Sequence, residues 1–193
     1  MRRRVLVLFI ATLVLVGGCA ASSQSVHDGL DPLTGVTVTY SKTPMVLYRE
    51  NPAHAAYARN YLHLGPIEVN KSGNYKYYLW LGIWSTLQPN VSSERPDEFE
   101  SIVVIADGEP LLLDSVGWTP ASIETSVPVY PKPVATALDV YYRVTADQIR
   151  VIANARDLQI RTTGATPLEF NVWDDQKAAR RDINEFLHRI FVQ

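Results

Sequence analysis

One segment limits the folds open to this chain more than any other. Tyr75-Lys76-Tyr77-Tyr78-Leu79-Trp80-Leu81-Gly82-Ile83-Trp84 carries Tyr, Tyr, Leu, Leu and Ile at its odd positions and Lys, Tyr, Trp, Gly and Trp at its even ones. Side chains alternate across a strand, so both faces of this one are apolar or aromatic. A helix would place apolar residues at a spacing near 3.6, which this run does not favour. The pattern predicts a central strand covered on both sides. A chain of 193 residues that is 47% apolar can supply that cover within one domain of ordinary size.

The flanking sequence reads mostly as strands. Val36, Val38 and Tyr40 alternate with Thr37 and Thr39, and Met45 to Tyr48 is a second short apolar run. Asn51-Pro52 suits a short helix through Ala58, although Tyr57 to Val69 also reads as extended. Lys71-Ser72-Gly73-Asn74 and Asp107-Gly108 look like hairpin turns. Pro120, Pro128, Pro131 and Pro133 make 115–135 an extended edge or crossover. Thr145-Ala146-Asp147-Gln148 fits a capping box ahead of Ile149, Ile152 and Ala153. Leu158, Ile160 and Thr162 alternate, as do Leu168, Phe170 and Val172. Asp174 and Asp175 then open a helix whose Ala179, Ile183, Phe186, Leu187 and Ile190 share one face. The expected fold is β-rich α+β: an antiparallel sheet or sandwich of about seven to nine strands, a short helix near 146–155 and a C-terminal helix near 174–191, which covers the sheet.

The amino-terminal residues point to location. Arg2, Arg3 and Arg4 precede an apolar run from Val5 to Val16 with Thr12 its one polar side chain. That run is too short for a bilayer of about 30 Å, which needs roughly 20 helical residues, and it has the layout of a secretory signal peptide. The chain's only cysteine, Cys19, ends the sequence Val16-Gly17-Gly18-Cys19. This stretch resembles the lipobox of bacterial lipoproteins. The resemblance implies cleavage before Cys19, a diacylglyceryl group on its thiol and acylation of the new amino terminus. Ala20 rather than Asp at the next position implies an outer-membrane address, with the domain facing the periplasm. The division expected is a signal peptide at 1–18, a lipidated Cys19 with a flexible tether over 19–33, and one globular domain over 34–193. Loss of the three leader arginines leaves 15 Lys+Arg against 20 Asp+Glu. Such a mildly acidic protein has no basic excess with which to follow nucleic acid, and one cysteine makes an internal disulfide impossible.

Chemistry is sparse. Gly-x-Ser-x-Gly, phosphate-loop, dinucleotide and His-Glu-x-x-His patterns are missing from the sequence. Glu50, His54 and His63 lack the close paired spacing of metal ligands, so no metal and no cofactor is expected. Asp97, Glu98, Glu100, Asp114 and Glu124 are scattered carboxylates that read as solvated surface. The aromatic stripe Tyr75, Tyr77, Tyr78, Trp80 and Trp84 reads first as core, with a ligand-binding face for a glycan, peptide or lipid as the alternative. The functional expectation is therefore a non-enzymatic, membrane-anchored envelope lipoprotein that binds a protein partner or supports an assembly. Ligand binding through the aromatic strand is the second reading, and a carboxylate-based hydrolase the third.

Overall fold

The structure, a computed structural model, describes residues 25–52, 56–87 and 96–192. Its strands are β1 (Val26–Leu30), β2 (Thr37–Ser41), β3 (Met45–Glu50), β4 (Arg59–Lys71), β5 (Asn74–Ser85), β6 (Ser101–Ala106), β7 (Glu109–Gly117), β8 (Leu138–Val144), β9 (Leu158–Thr162) and β10 (Glu169–Val172). Two α-helices follow β8 and β10: α1 (Ala146–Asn154) and α2 (Lys177–Phe191). No described helix is long and apolar enough to cross a membrane.

All strand pairings are antiparallel. The sheet order is β1-β2-β4-β3-β10-β9-β6-β7-β8-β5, and β5 also pairs with β4. That last pairing closes eight strands into a barrel, so the sandwich alternative gives way to a single sheet wrapped on itself. Closure leaves β1 and β2 as a flap. The edge of β4 that meets β3 over Arg59 to Leu64 meets β2 over Ile67 to Asn70. Gly65 and Pro66 fall at the change of partner, a place where a strand tolerates proline.

The two-sided strand behaves as its pattern requires. The odd side chains Leu79, Leu81 and Ile83 enter the barrel interior with Met45, Leu47, Leu62, Leu64, Ile102, Val104, Tyr142 and Phe170. An eight-stranded barrel has an interior that side chains fill. Helices α1 and α2 complete this core with Ile149, Ile152, Ile183, Phe186 and Ile190. The even side chains Tyr78 and Trp80 form a second core outside the barrel with Val36, Val38, Ile67, Val69, Ile123, Tyr130 and Tyr141. The Pro-rich crossover supplies the lid of that second core. Trp80 and Tyr130 stack at 4.5 Å and 14°, and Trp80 Nε1 donates to Asp139 Oδ1 at 3.0 Å. Gly65 makes room for this: a Cβ there would lie 2.3 Å from Tyr130 Cζ.

The local signals resolve as expected at several points. Ser72-Gly73 and Asp107-Gly108 each carry two consecutive positive φ values, 52° and 87°, then 51° and 88°. Those pairs are type I′ hairpin turns. Thr145 and Gln148 form the reciprocal capping box of α1. The start of the final helix differs. It begins at Lys177 after a left-handed Gln176, because Asp174 also takes a positive φ of 58° and turns the chain first.

The expected tether over 19–33 is shortened from its far end. β1 occupies Val26–Leu30, and Ser25 O accepts from Lys42 N at 2.8 Å. Asp31, buried, then closes a turn by accepting from Leu33 N at 3.0 Å and Thr34 N at 3.3 Å. Its carboxylate also accepts from Ser126 N, and from Ser126 Oγ at 2.7 Å, so it latches the Pro-rich crossover to the flap. The amide of Ser126 chiefly, helped by its hydroxyl and the Leu33 and Thr34 amides against the opposing effect of burial, lowers Asp31 from an ordinary 3.8 to about 2. A depressed folded-state value stabilises above the unfolded value and is lost as pH falls. The ionisation-dependent part of the stability advantage of wild type over Asp31→Asn should be full above about pH 5, shrink as pH falls through 3.8 toward 2, and be lost once pH lies well below both values. Urea titrations across this range measure it.

Candidate functional site

The structure divides the aromatic stripe among three environments. Tyr78 and Trp80, at 3% and 1% exposure, belong to the outer core. Tyr75 and Tyr77 lie on the inner face where β4 and β5 extend beside the flap, Tyr75 exposed and Tyr77 half-buried. Trp84 emerges on the outer face at the other end of β5, half-buried. Cys19 and His54 lie outside the described residues.

Trp84 heads a ridge that the sequence did not single out as a unit. Tyr61 on β4 pairs directly with Trp84 on β5 and with Tyr48 on β3. Trp173 follows β10, where its N–H donates to Val46 O at 2.9 Å and continues the pairing with β3. The rings follow in the order Trp84, Tyr61, Trp173, Tyr48, with centroids 4.4, 5.1 and 5.4 Å apart; the first two pairs are stacked and the last is tilted by 54°. Arg59 lies over Tyr48 at 5.6 Å and Trp173 at 5.5 Å. It also faces Glu50 at 3.8 Å, an exposed ion pair worth little. Tyr61 is 7% exposed between its two neighbours, whereas Trp173 is 37% exposed.

Electrostatics sharpen the ridge. His63 stands beside Trp84, with ring centroids 6.3 Å apart. Burial pushes His63 below its ordinary value, so its ring is neutral at pH 7. Arg59 is therefore the cation of this aromatic row. Trp84 Nε1 is buried and has no hydrogen-bond acceptor among the described residues. The ring faces are spent on one another, so the surface offers edges, hydroxyls and a guanidinium rather than flat platforms.

The sequence-named carboxylates are held by separate partners. Glu100 accepts from Ser115 Oγ at 2.6 Å and Trp118 Nε1 at 2.9 Å, and these bonds, Ser115 first, lower its titration. Asp114 accepts from Ser101 Oγ, and Glu124 pairs with Lys76. Asp97 and Glu98 sit in a single 3-10 turn, Pro96–Phe99. Acids do share clefts elsewhere: Asp28 and Glu68 on the inner face of the flap and β4, and Asp157, Asp174 and Asp175 beside Arg156 and Arg180. Among the described residues no group of three or more His, Cys, Asp or Glu is placed to hold a metal ion.

The chain matches no family model, no curated protein and no solved structure. Its function is therefore argued from the site itself.

Proposed function

We propose that this protein is a lipid-anchored component of the bacterial envelope, non-enzymatic, that docks a protein partner through the ridge formed by Tyr48, Arg59, Tyr61, Trp84 and Trp173. The observation that carries the reading is the makeup of the ridge. Trp, Tyr and Arg are the residue types enriched where protein–protein binding energy concentrates. Here they occur together on a rigid sheet face, with Tyr61 pinned between two indoles and Arg59 resting on two rings. Because these side chains are already ordered by stacking, little rotamer freedom remains to be lost when a partner covers them.

The lipobox resemblance supports the anchor. Ser25 is fixed to the fold, so the segment from Cys19 to Ser25 reaches at most about 20 Å. An acylated Cys19 would thus hold the barrel against the membrane, and Ala20 after it favours the periplasmic face of the outer membrane. Two or three acyl chains give a stable anchor where one is marginal.

The test is site-specific crosslinking. A photoreactive residue in place of Trp173 should join this protein to one envelope protein. The same residue in place of Leu112 should not, since Leu112 is exposed on β7, across the barrel from β3. Equal crosslinking from both positions, or none from Trp173, would remove the ridge as the docking surface.

A further inference from the structure

Beyond Pro66 the sheet of β1, β2, β4 and β5 extends past the point where β3 leaves off, and its inner face there is polar. The registers align two rows across it. One row is Asp28, Thr39, Glu68 and Tyr77; the other is Thr37, Asn70 and Tyr75. The last turn of α2 rises beside them with His188 and Arg189, followed by Val192, and borders a cleft of about 490 Å³. That volume is within the range of about 300–1,000 Å³ typical of small-molecule sites.

The floor of the cleft is set in advance. Thr39 Oγ1 donates to Asp28 Oδ1 at 2.8 Å, and Arg189 donates to Asp28 Oδ2 at 2.5 Å. Tyr77 donates its hydroxyl to Glu68, which raises the tyrosine, burial being the larger cause. Glu68 and Thr39 are only 2% and 3% exposed. Donors and acceptors therefore alternate along the row, held by strands rather than loops.

Two features select the ligand chemistry. Asp28 and Glu68 face one guanidinium, Arg189, so the cleft carries no more than about one net negative charge and lacks a strong field to favour an ion. Tyr75 is 42% exposed, and among the described residues neither Tyr75 nor Tyr77 stacks on another ring. Tyr77 is half-buried against the inner core, so the free ring face is that of Tyr75, beside Asn70, in contrast to the rings of the ridge. A pyranose presents a C–H face that packs on an aromatic ring, together with vicinal hydroxyls that donate to carboxylates and accept from guanidinium and amide groups. We propose that this cleft binds a short, uncharged, hydroxyl-rich saccharide that reaches over its edge onto the exposed ring of Tyr75, with Glu68, Asp28, Asn70 and Arg189 as hydrogen-bond partners.

The cleft and the docking ridge lie on opposite faces of the sheet and at opposite ends of β4, so each can fail alone. The experiment is calorimetric titration of the full chain, in a sugar-free detergent, with chitotriose, cellotriose and maltotriose, and with trilysine as a charged comparison. At least one trisaccharide should bind with a sub-millimolar Kd. Tyr75→Ala and Glu68→Gln should each weaken it by roughly tenfold or more, while Trp173→Ala leaves it unchanged. Should Glu68→Gln not fold, Thr37→Val, at an exposed position, serves beside Tyr75→Ala. The proposal is overturned by no trisaccharide binding up to about 10 mM, by binding that Tyr75→Ala leaves intact, or by trilysine binding in preference to the sugars.

Discussion

Trp80→Ala should lower the folding free energy by about 3–5 kcal/mol. Trp80 is the largest fully buried side chain of the chain's described part and the centre of the outer core. Its removal leaves a cavity bounded by strands on one side and Tyr130 on the other, neither able to collapse freely. Gly65 cannot fill it, Tyr130 loses its stacking partner, and buried Asp139 loses the indole N–H, keeping Lys132 at 3.6 Å. Against a typical total of about 5–15 kcal/mol, such a loss takes much of the stability. Urea unfolding followed by circular dichroism reads it directly. A loss below about 1 kcal/mol would mean that the outer face of β5 is not core at all.

Phe186→Ala should cost a similar amount, about 3–5 kcal/mol, by a different route. Phe186 is fully buried within the inner core, on the helix that packs against β1, β2 and β4. The same helix is pinned at Asp182. Burial opposes the ionisation of that carboxyl, yet hydrogen bonds from Thr43, Arg181 and Ser25 outweigh burial and hold it below its ordinary value. Loosening α2 therefore frees the entry to β1 as well as the barrel core. Hydrogen exchange should show β1 and β2 losing protection in Phe186→Ala before β6 and β9, because the flap has α2 at its back while those strands lie within the closed barrel. Uniform loss across all strands would contradict this ordering.

Much of the fold was legible because its signals are local. The two-sided apolar strand, both type I′ turns, the Thr145 capping box and the one-faced final helix each depend on residues within a few positions of one another. Barrel closure was not legible. It depends on β3 meeting β10, as in Tyr48 opposite Asn171, and no local pattern encodes which distant strands become neighbours. β1 was missed because a strand of Val-His-Asp-Gly-Leu, exposed along most of its length, has the composition of a linker. What fixes it is a single strand partner, the latch at Asp31, and α2, through Arg189 on Asp28 and Asp182 on Ser25.

The candidate site shows the same limit. The stripe from Tyr75 to Trp84 was visible as aromatic, but its three fates follow from what covers each position. Tyr130 and Ile123 arrive over Tyr78 and Trp80 from the Pro-rich crossover, Tyr61 and His63 come to Trp84 from β4, and Tyr75 stays exposed. Two weak signals for the ridge were present. Arg59, Tyr61 and His63 alternate along one face of β4, and Trp173 sits beside Asp174 and Asp175, a setting too polar for a core indole. Glu68 gave none, since one glutamate in an apolar strand announces burial only once its tyrosine partner is known.

Docking of a protein partner on the outer ridge of a membrane-held barrel is the proposed function. Its most direct test is capture of the full-length protein from its own membranes, with bound proteins quantified by mass spectrometry for wild type, Trp173→Ala, Arg59→Glu and Cys19→Ala. One partner should be recovered at near-equal amount with wild type. Both ridge variants should lose it while keeping wild-type thermal stability within a few degrees, and Cys19→Ala should lose it through mislocalisation. Recovery of the same proteins in the same amounts by the two ridge variants would contradict the account.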